Sequence, residues 1–190
     1  MIRQLFNFSN QLTLLRLIFV PFIIINIVDR NHNWALGLLI AAGISDFLDG
    51  ELARRLHQQT KLGQYLDPIA DKLLLSSLFL VLSFVHQIPW RYTILVFSRD
   101  ACILAAAAVL YATTELRDFR PSVFGKANTV AQIATVFFVL LYAIDHAFWI
   151  AVARRVGLYS TFALTLISGI HYVFVVGHRL RAMEGGSAAH

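Results

Sequence analysis

The chain has little charge. Asp, Glu, Lys and Arg make up 14% of its 190 residues, where soluble domains carry about 25%. Hydrophobic residues reach 58%, so a fold of this chain alone cannot keep apolar surface out of water, and an ordinary soluble globule is excluded. Cysteine is nearly absent. Cys102 stands alone inside an apolar run; it excludes an internal disulfide and reads as a small buried hydrophobe. Low-complexity segments and repeats are also missing, and no stretch between the apolar runs is long enough for a second soluble domain.

What the chain does have is long hydrophobic runs. A membrane span needs about 20 mostly apolar residues. Six segments qualify, at 12–29, 34–55, 66–86, 91–113, 127–145 and 156–177. The expected fold class is therefore all-α, a polytopic membrane protein with six transmembrane helices. The membrane domain covers 1–182, and the small polar tail 183–190 is expected to be disordered. No small-residue cleavage site follows the first run, so it reads as retained. Ahead of it, Ile2, Leu5 and Phe6 stand at helical spacing, which predicts a short surface helix over Met1–Phe8.

The net charge is +5. The basic residues sit mostly at the ends of apolar runs, which marks membrane flanks rather than a nucleic-acid surface. Alternating spans put Arg54, Arg55, Lys61, Arg117, Arg120, Lys126, Arg179 and Arg181 on one side. Arg30, Arg91, Arg154 and Arg155 fall on the other. The positive-inside rule places both termini and the loops near 56–65 and 114–126 in the cytoplasm.

Carboxylates inside membrane segments are costly and mark function. Asp46 and Asp49 end the second span at i, i+3; Asp67 and Asp71 open the third at i, i+4. Each spacing puts its two side chains on one helix face. Two antiparallel helices could aim four carboxylates into one pocket, where mutual repulsion calls for divalent cations. An all-oxygen set without His or Cys suits Mg²⁺ first, then Mn²⁺ or Ca²⁺, and not zinc. Gly50 and Ala53 share the face of the first pair and leave room for a ligand. Arg54 supplies a fork for phosphate oxygens, Gly63 allows a second close approach, and Pro68 fits the first turn of the third helix. Metal, Arg and small residues together suit phosphoryl transfer. Glu51, Arg55, His57 and Lys61 read as interfacial charges.

The run Asp46-Phe-Leu-Asp49-Gly50-Glu-Leu-Ala53-Arg54, eight residues, Gly63, three residues, Asp67, three residues, Asp71 resembles the complete signature of the CDP-alcohol phosphatidyltransferase family. That resemblance implies six transmembrane helices around a cytoplasm-facing polar cavity, and a homodimer in the bilayer, here a bacterial inner membrane. It implies two divalent ions, Mg²⁺ or Mn²⁺, held by Asp46, Asp49, Asp67 and Asp71, with Asp71 also the base that deprotonates the acceptor hydroxyl. Asp46, Gly50, Ala53, Arg54 and Gly63 would bind the CDP moiety of CDP-diacylglycerol, and CMP would leave.

Weaker similarities extend over most of the chain. Asn10, Thr13, Arg16 and Pro21 resemble the family's opening helix. Arg99-Asp100 falls mid-span, where a charge pair needs a partner or a wet cavity. With Lys126, Asn128 and Thr129 it resembles the side that holds an anionic alcohol. Gln132, His171 and Tyr172 are further cavity candidates, although His171 reads equally well as an interior histidine. Glycerol 3-phosphate is the first expected acceptor, giving phosphatidylglycerophosphate. Asn128 departs from that reading, since Lys is common there. Arg99-Asp100, Pro121, the Lys126-Ala-Asn128-Thr129 stretch and His171-Tyr172 lean toward the cardiolipin synthase branch, with phosphatidylglycerol as acceptor. The rival of another class is a divalent-cation transporter. Its acids would sit at the bilayer midplane between repeats, whereas these sit at one face.

Overall fold

A computed structural model describes the backbone of residues 8–55, 61–113 and 123–187, and side chains over 17–45, 71–105 and 125–170. Among the described residues the chain is entirely helical, with six helices. They are α1 (Phe8–Val28), α2 (His32–Arg55), α3 (Lys61–Phe84), α4 (Trp90–Thr113), α5 (Val123–Ile144) and α6 (Phe148–Ser187). Each expected span has its helix. The expected surface helix lies at Met1–Phe8, of which residues 1–7 are outside the described residues, as are 56–60 and 114–122 in the two loops expected in the cytoplasm.

The two boundaries that differ most from expectation are those of the last helix. α6 starts at Phe148 rather than 156, and Asp145 accounts for the early start: its Oδ1 accepts from the Ala147 N–H at 3.1 Å, satisfying a donor at the helix entrance. α6 also runs on to Ser187, into the segment expected to be disordered. Arg181, Ala182, Met183 and Glu184 are good helix formers and carry it forward.

The turns after α1 and α3 share one construction. Asn31 N–H bonds the Asn26 carbonyl at 2.8 Å and Arg30 N–H bonds the Ile27 carbonyl at 3.2 Å. Gln87 N–H bonds the Leu82 carbonyl at 2.8 Å and His86 N–H bonds the Ser83 carbonyl at 3.1 Å. Both are Schellman caps, with Arg30 (φ 59°) and His86 (φ 62°) in the left-handed position usually given to glycine.

The chain divides into two units. The first comprises 1–89 and 136–154. In it α1 packs against both α2 and α3, and its core includes Ile23, Ile27, Leu78, Phe79 and Leu82. Pro21 sits inside α1 and deprives the Leu17 carbonyl of its N–H partner, a defect that membrane helices tolerate. A polar chain also runs through this unit. Arg154 Nη2 donates to the Gln87 carbonyl at 2.9 Å, and the guanidinium lies 4.9 Å over the Tyr142 ring. Gln87 Nε2 meets His32 Nε2 at 3.3 Å. Arg154 stood against the positive-inside pattern, and its role here is to tie down a helix end.

The second unit comprises 90–135 and 155–190. Among its described residues, polar side chains share the interior with Tyr92, Val96 and Leu158. Asn128, Gln132, Thr135, Thr161, Thr165 and Ser168 are buried, while Ile94, Leu104, Val130, Val156, Phe162 and Ile170 are exposed. Apolar surface turned outward over a partly polar interior is the arrangement a lipid solvent favours. Cys102, expected to be buried, is exposed; on a surface that is itself apolar, a thiol has no reason to turn inward. Among the described residues, Gly125–Ile144 and Phe148–Ile170 are long and apolar enough to cross a membrane.

Candidate functional site

The signature residues occupy the C-terminal part of α2 and the N-terminal part of α3. α2 remains helical through Arg55, so Asp46, Asp49, Gly50, Ala53 and Arg54 share one continuous helix. α3 begins at Lys61, so Gly63, Asp67 and Asp71 share another. The helical backbone required by the i, i+3 and i, i+4 spacings is therefore present in both cases. Pro68, expected in the first turn, lies deeper in α3 because the helix starts earlier than the apolar run suggested.

The side chains of 46–55 and 61–70 lie outside the described residues, and with them Asp46, Asp49, Gly50, Ala53, Arg54, Gly63 and Asp67 as ligands. Asp71 is described and is half-buried on α3. Among the described residues no group of three or more His, Cys, Asp or Glu side chains is placed to hold a metal. Asp71 is the one member of the acidic quartet to which that statement extends.

The residues expected to hold the acceptor lie in the second unit, on α4 and α5. Arg99 Nη1 donates to Asp100 Oδ1 at 2.7 Å, and the side chains are 11% and 15% exposed. Its Nη2 donates to Ser168 Oγ on α6 at 2.9 Å. The charge on α4 thus has its partner beside it and a hydroxyl from another helix. Asn128 is buried, and its Oδ1 accepts from the Thr165 hydroxyl at 2.9 Å. Thr129 is half-buried, with its hydroxyl turned back onto the Gly125 carbonyl at 3.2 Å. Lys126 is exposed. The buried Arg99 Nε and Asn128 Nδ2 have no hydrogen-bond partner among the described residues.

Four partners in this unit escaped the sequence reading: Thr135, Thr161, Thr165 and Ser168. Thr135 and Thr161 share a hydrogen bond at 2.9 Å, Thr165 bonds Asn128, and Ser168 bonds Arg99. A signal was available. Thr161, Thr165 and Ser168 stand at i, i+4 and i+7, as do Asn128, Gln132 and Thr135. Matching polar stripes on two apolar helices are the mark of a hydrogen-bonded interface. His171 and Tyr172 have side chains outside the described residues.

Comparison with known proteins gives a consistent picture. The family model for CDP-alcohol phosphatidyltransferase matches residues 6–175. A protein of Drosophila melanogaster named probable cardiolipin synthase (CMP-forming) is 36% identical over 150 residues, 70% of this chain and 46% of that protein. The human cardiolipin synthase (CMP-forming) is 33% identical over 146 residues, 67% of this chain and 48% of that one. The chain thus spans about half the length of these two relatives. A probable phosphatidylglycerophosphate synthase of Mycobacterium tuberculosis is 32% identical over 176 residues, 88% of this chain and 80% of that protein. The match runs from the start of α1 well into α6, and it makes this chain a member of the CDP-alcohol phosphatidyltransferase family.

Proposed function

We propose that the protein transfers the phosphatidyl group of CDP-diacylglycerol to a glycerol hydroxyl on an acceptor that carries a phosphate. The observation that carries this reading is the eight-position signature, five of its positions on the helical backbone of α2 and three on that of α3. In this reading the acceptor oxygen attacks the lipid-side phosphorus. The P–O bond to CMP breaks and CMP departs. The acceptor proton passes to the Asp71 carboxylate, the signature acid whose side chain is described and half-buried.

The donor set fits a hard divalent cation: four carboxylates, with no nitrogen or sulfur among them. The family is generally dependent on such ions. Asp46, Asp49, Asp67 and Asp71 would hold two, Mg²⁺ or Mn²⁺, and their charge would offset that of the pyrophosphate. Gly50, Ala53, Arg54 and Gly63 would receive the CDP moiety. The protein would be a six-span homodimer of a bacterial inner membrane with a polar cavity open to the cytoplasm. The apolar exterior of the second unit and the two long apolar helices support the membrane setting.

The acceptor we favour is phosphatidylglycerol, giving cardiolipin. Arg99 is paired with Asp100 at 2.7 Å, so together they bring no net charge. Such a pair suits a phosphodiester with a single negative charge better than a dianionic phosphomonoester, which would meet the Asp100 carboxylate. Lys126 and Thr129 would complete the acceptor side. Glycerol 3-phosphate is the second reading, favoured by the mycobacterial relative matched over 80% of its length.

The test uses the purified protein in detergent or nanodiscs, with CDP-diacylglycerol and each acceptor in turn. Cardiolipin in the mass spectrum, with matching CMP, is the expected result. EDTA should stop the reaction and Mg²⁺ or Mn²⁺ should restore it. If CMP appears with no acceptor tested, the transferase reading falls.

A further inference from the structure

Several hydroxyls on the described helices turn back onto their own helix, whether exposed, half-buried or buried. Ser98 bonds the Ile94 carbonyl at 2.6 Å, Thr129 the Gly125 carbonyl at 3.2 Å and Thr135 the Ala131 carbonyl at 2.7 Å. Such i−4 bonds are the default for a hydroxyl in an apolar helix. Ser168, like Thr161 and Thr165, is joined to another helix instead, and it alone of the three meets a charged group. It is 2% exposed, and its Oγ receives Nη2 of Arg99 from α4 at 2.9 Å.

The bond constrains where Arg99 points. Adjacent residues on a helix face different directions, so the Arg99 stem must bend for Nη1 to reach Asp100 at 2.7 Å. With Nη1 on the carboxylate and Nη2 on the serine, the guanidinium is gripped at two corners by groups on α4 and α6. A flexible cation becomes a fixed fork. Nε remains buried without a partner among the described residues. A serine hydroxyl that accepts one bond still has its own O–H to donate. The held pair therefore offers donors to an anionic oxygen from a pre-set direction. Burial makes each of those bonds stronger than it would be in water.

We propose that Ser168 is a positioning residue for acceptor recognition: it fixes the Arg99 guanidinium in the orientation that receives the acceptor's phosphate. The inference rests on the proposed function, in which Arg99 serves the anionic acceptor, and it adds a residue on α6 to that site. Asp100 neutralises Arg99, and Ser168 aims it.

The experiment is steady-state kinetics of the full-length protein and its Ser168→Ala, Ser168→Cys, Arg99→Ala and double variants in nanodiscs. CDP-diacylglycerol and phosphatidylglycerol are varied separately. Ser168→Ala should raise the acceptor KM by about tenfold, as expected for a lost hydrogen bond to a charged group. kcat and the KM for CDP-diacylglycerol should change by less than about twofold, since uniform binding of one substrate is what is lost. Ser168→Cys keeps the volume with a weaker acceptor and should fall between parent and alanine variant. In the Arg99→Ala background, Ser168→Ala should have no further effect on acceptor KM, because the group it aims is gone. An unchanged acceptor KM in Ser168→Ala, or an undiminished effect without Arg99, overturns the inference while leaving the transferase reading intact. No CMP release by the unaltered protein sinks that reading and the inference together.

Discussion

Thr165 on α6 donates its hydroxyl to the Oδ1 of Asn128 on α5 at 2.9 Å, and each residue is 1% exposed. One half of the Asn128 amide therefore ties two helices together, while its Nδ2 has no partner among the described residues. An asparagine at this position is held in place by the fold before any ligand arrives.

Thr165→Val tests that arrangement. Valine keeps the shape and removes the hydroxyl, leaving the buried Oδ1 without a donor. Interhelical hydrogen bonds of this kind contribute about 0.6–2 kcal/mol in membrane proteins. The expected outcome is a lower thermal midpoint in detergent. An unchanged midpoint would show that the rung contributes nothing.

Gly157→Ala probes the same seam at its tightest point. A Cβ on Gly157 would sit 3.0 Å from Thr135 Oγ1 and 3.3 Å from Thr135 Cα. That hydroxyl cannot swing aside freely, since it bonds the Ala131 carbonyl at 2.7 Å and Thr161 at 2.9 Å. The helices must part, at a cost of about 1–3 kcal/mol typical of overpacking. Alanine would raise helix propensity, so a stabilised variant would mean the seam yields.

The elements were legible in the sequence because the spans are long and apolar, and no soluble helix competes with that signal. The helical spacing of the acidic quartet was legible because α2 and α3 do carry those positions on helical backbone. The turns were less so. Arg30 and His86 occupy left-handed positions where a glycine would have announced the cap. The start of α6 was obscured for a similar reason: Asp145 closes the fifth apolar run, and nothing in the sequence marks it as a group serving the next helix entrance. The Arg99–Ser168 bond joins residues 69 positions apart, and serine is too common for a single occurrence to suggest such a partner.

Asp71→Asn addresses the chemistry. The amide is isosteric, so the half-buried site should fold unchanged. It cannot take a proton from the acceptor hydroxyl. CMP release should fall by at least about a hundredfold, the lower range for loss of a general base. CDP-diacylglycerol binding should persist, measured by protection against thermal unfolding. Near-normal turnover would remove Asp71 as the base.

The pH dependence of stability turns on His32, which precedes the second apolar run. Burial lowers its pKa below the usual 6.5, and the neighbouring Arg30 lowers it further. The contact with Gln87 agrees with this. An amide nitrogen can only donate, so the ring Nε2 that faces it at 3.3 Å must accept, which requires the neutral imidazole. The folded chain therefore takes up the His32 proton less readily than the unfolded chain does. Stability from this group is complete above pH 6.5 and is lost as the pH falls from there through the lowered folded value. His32→Gln removes the titration, so the parent protein should lose more thermal midpoint than the variant between about pH 7.5 and pH 5.5. Parallel losses in the two proteins would show that His32 does not couple protonation to the turn between α1 and α2.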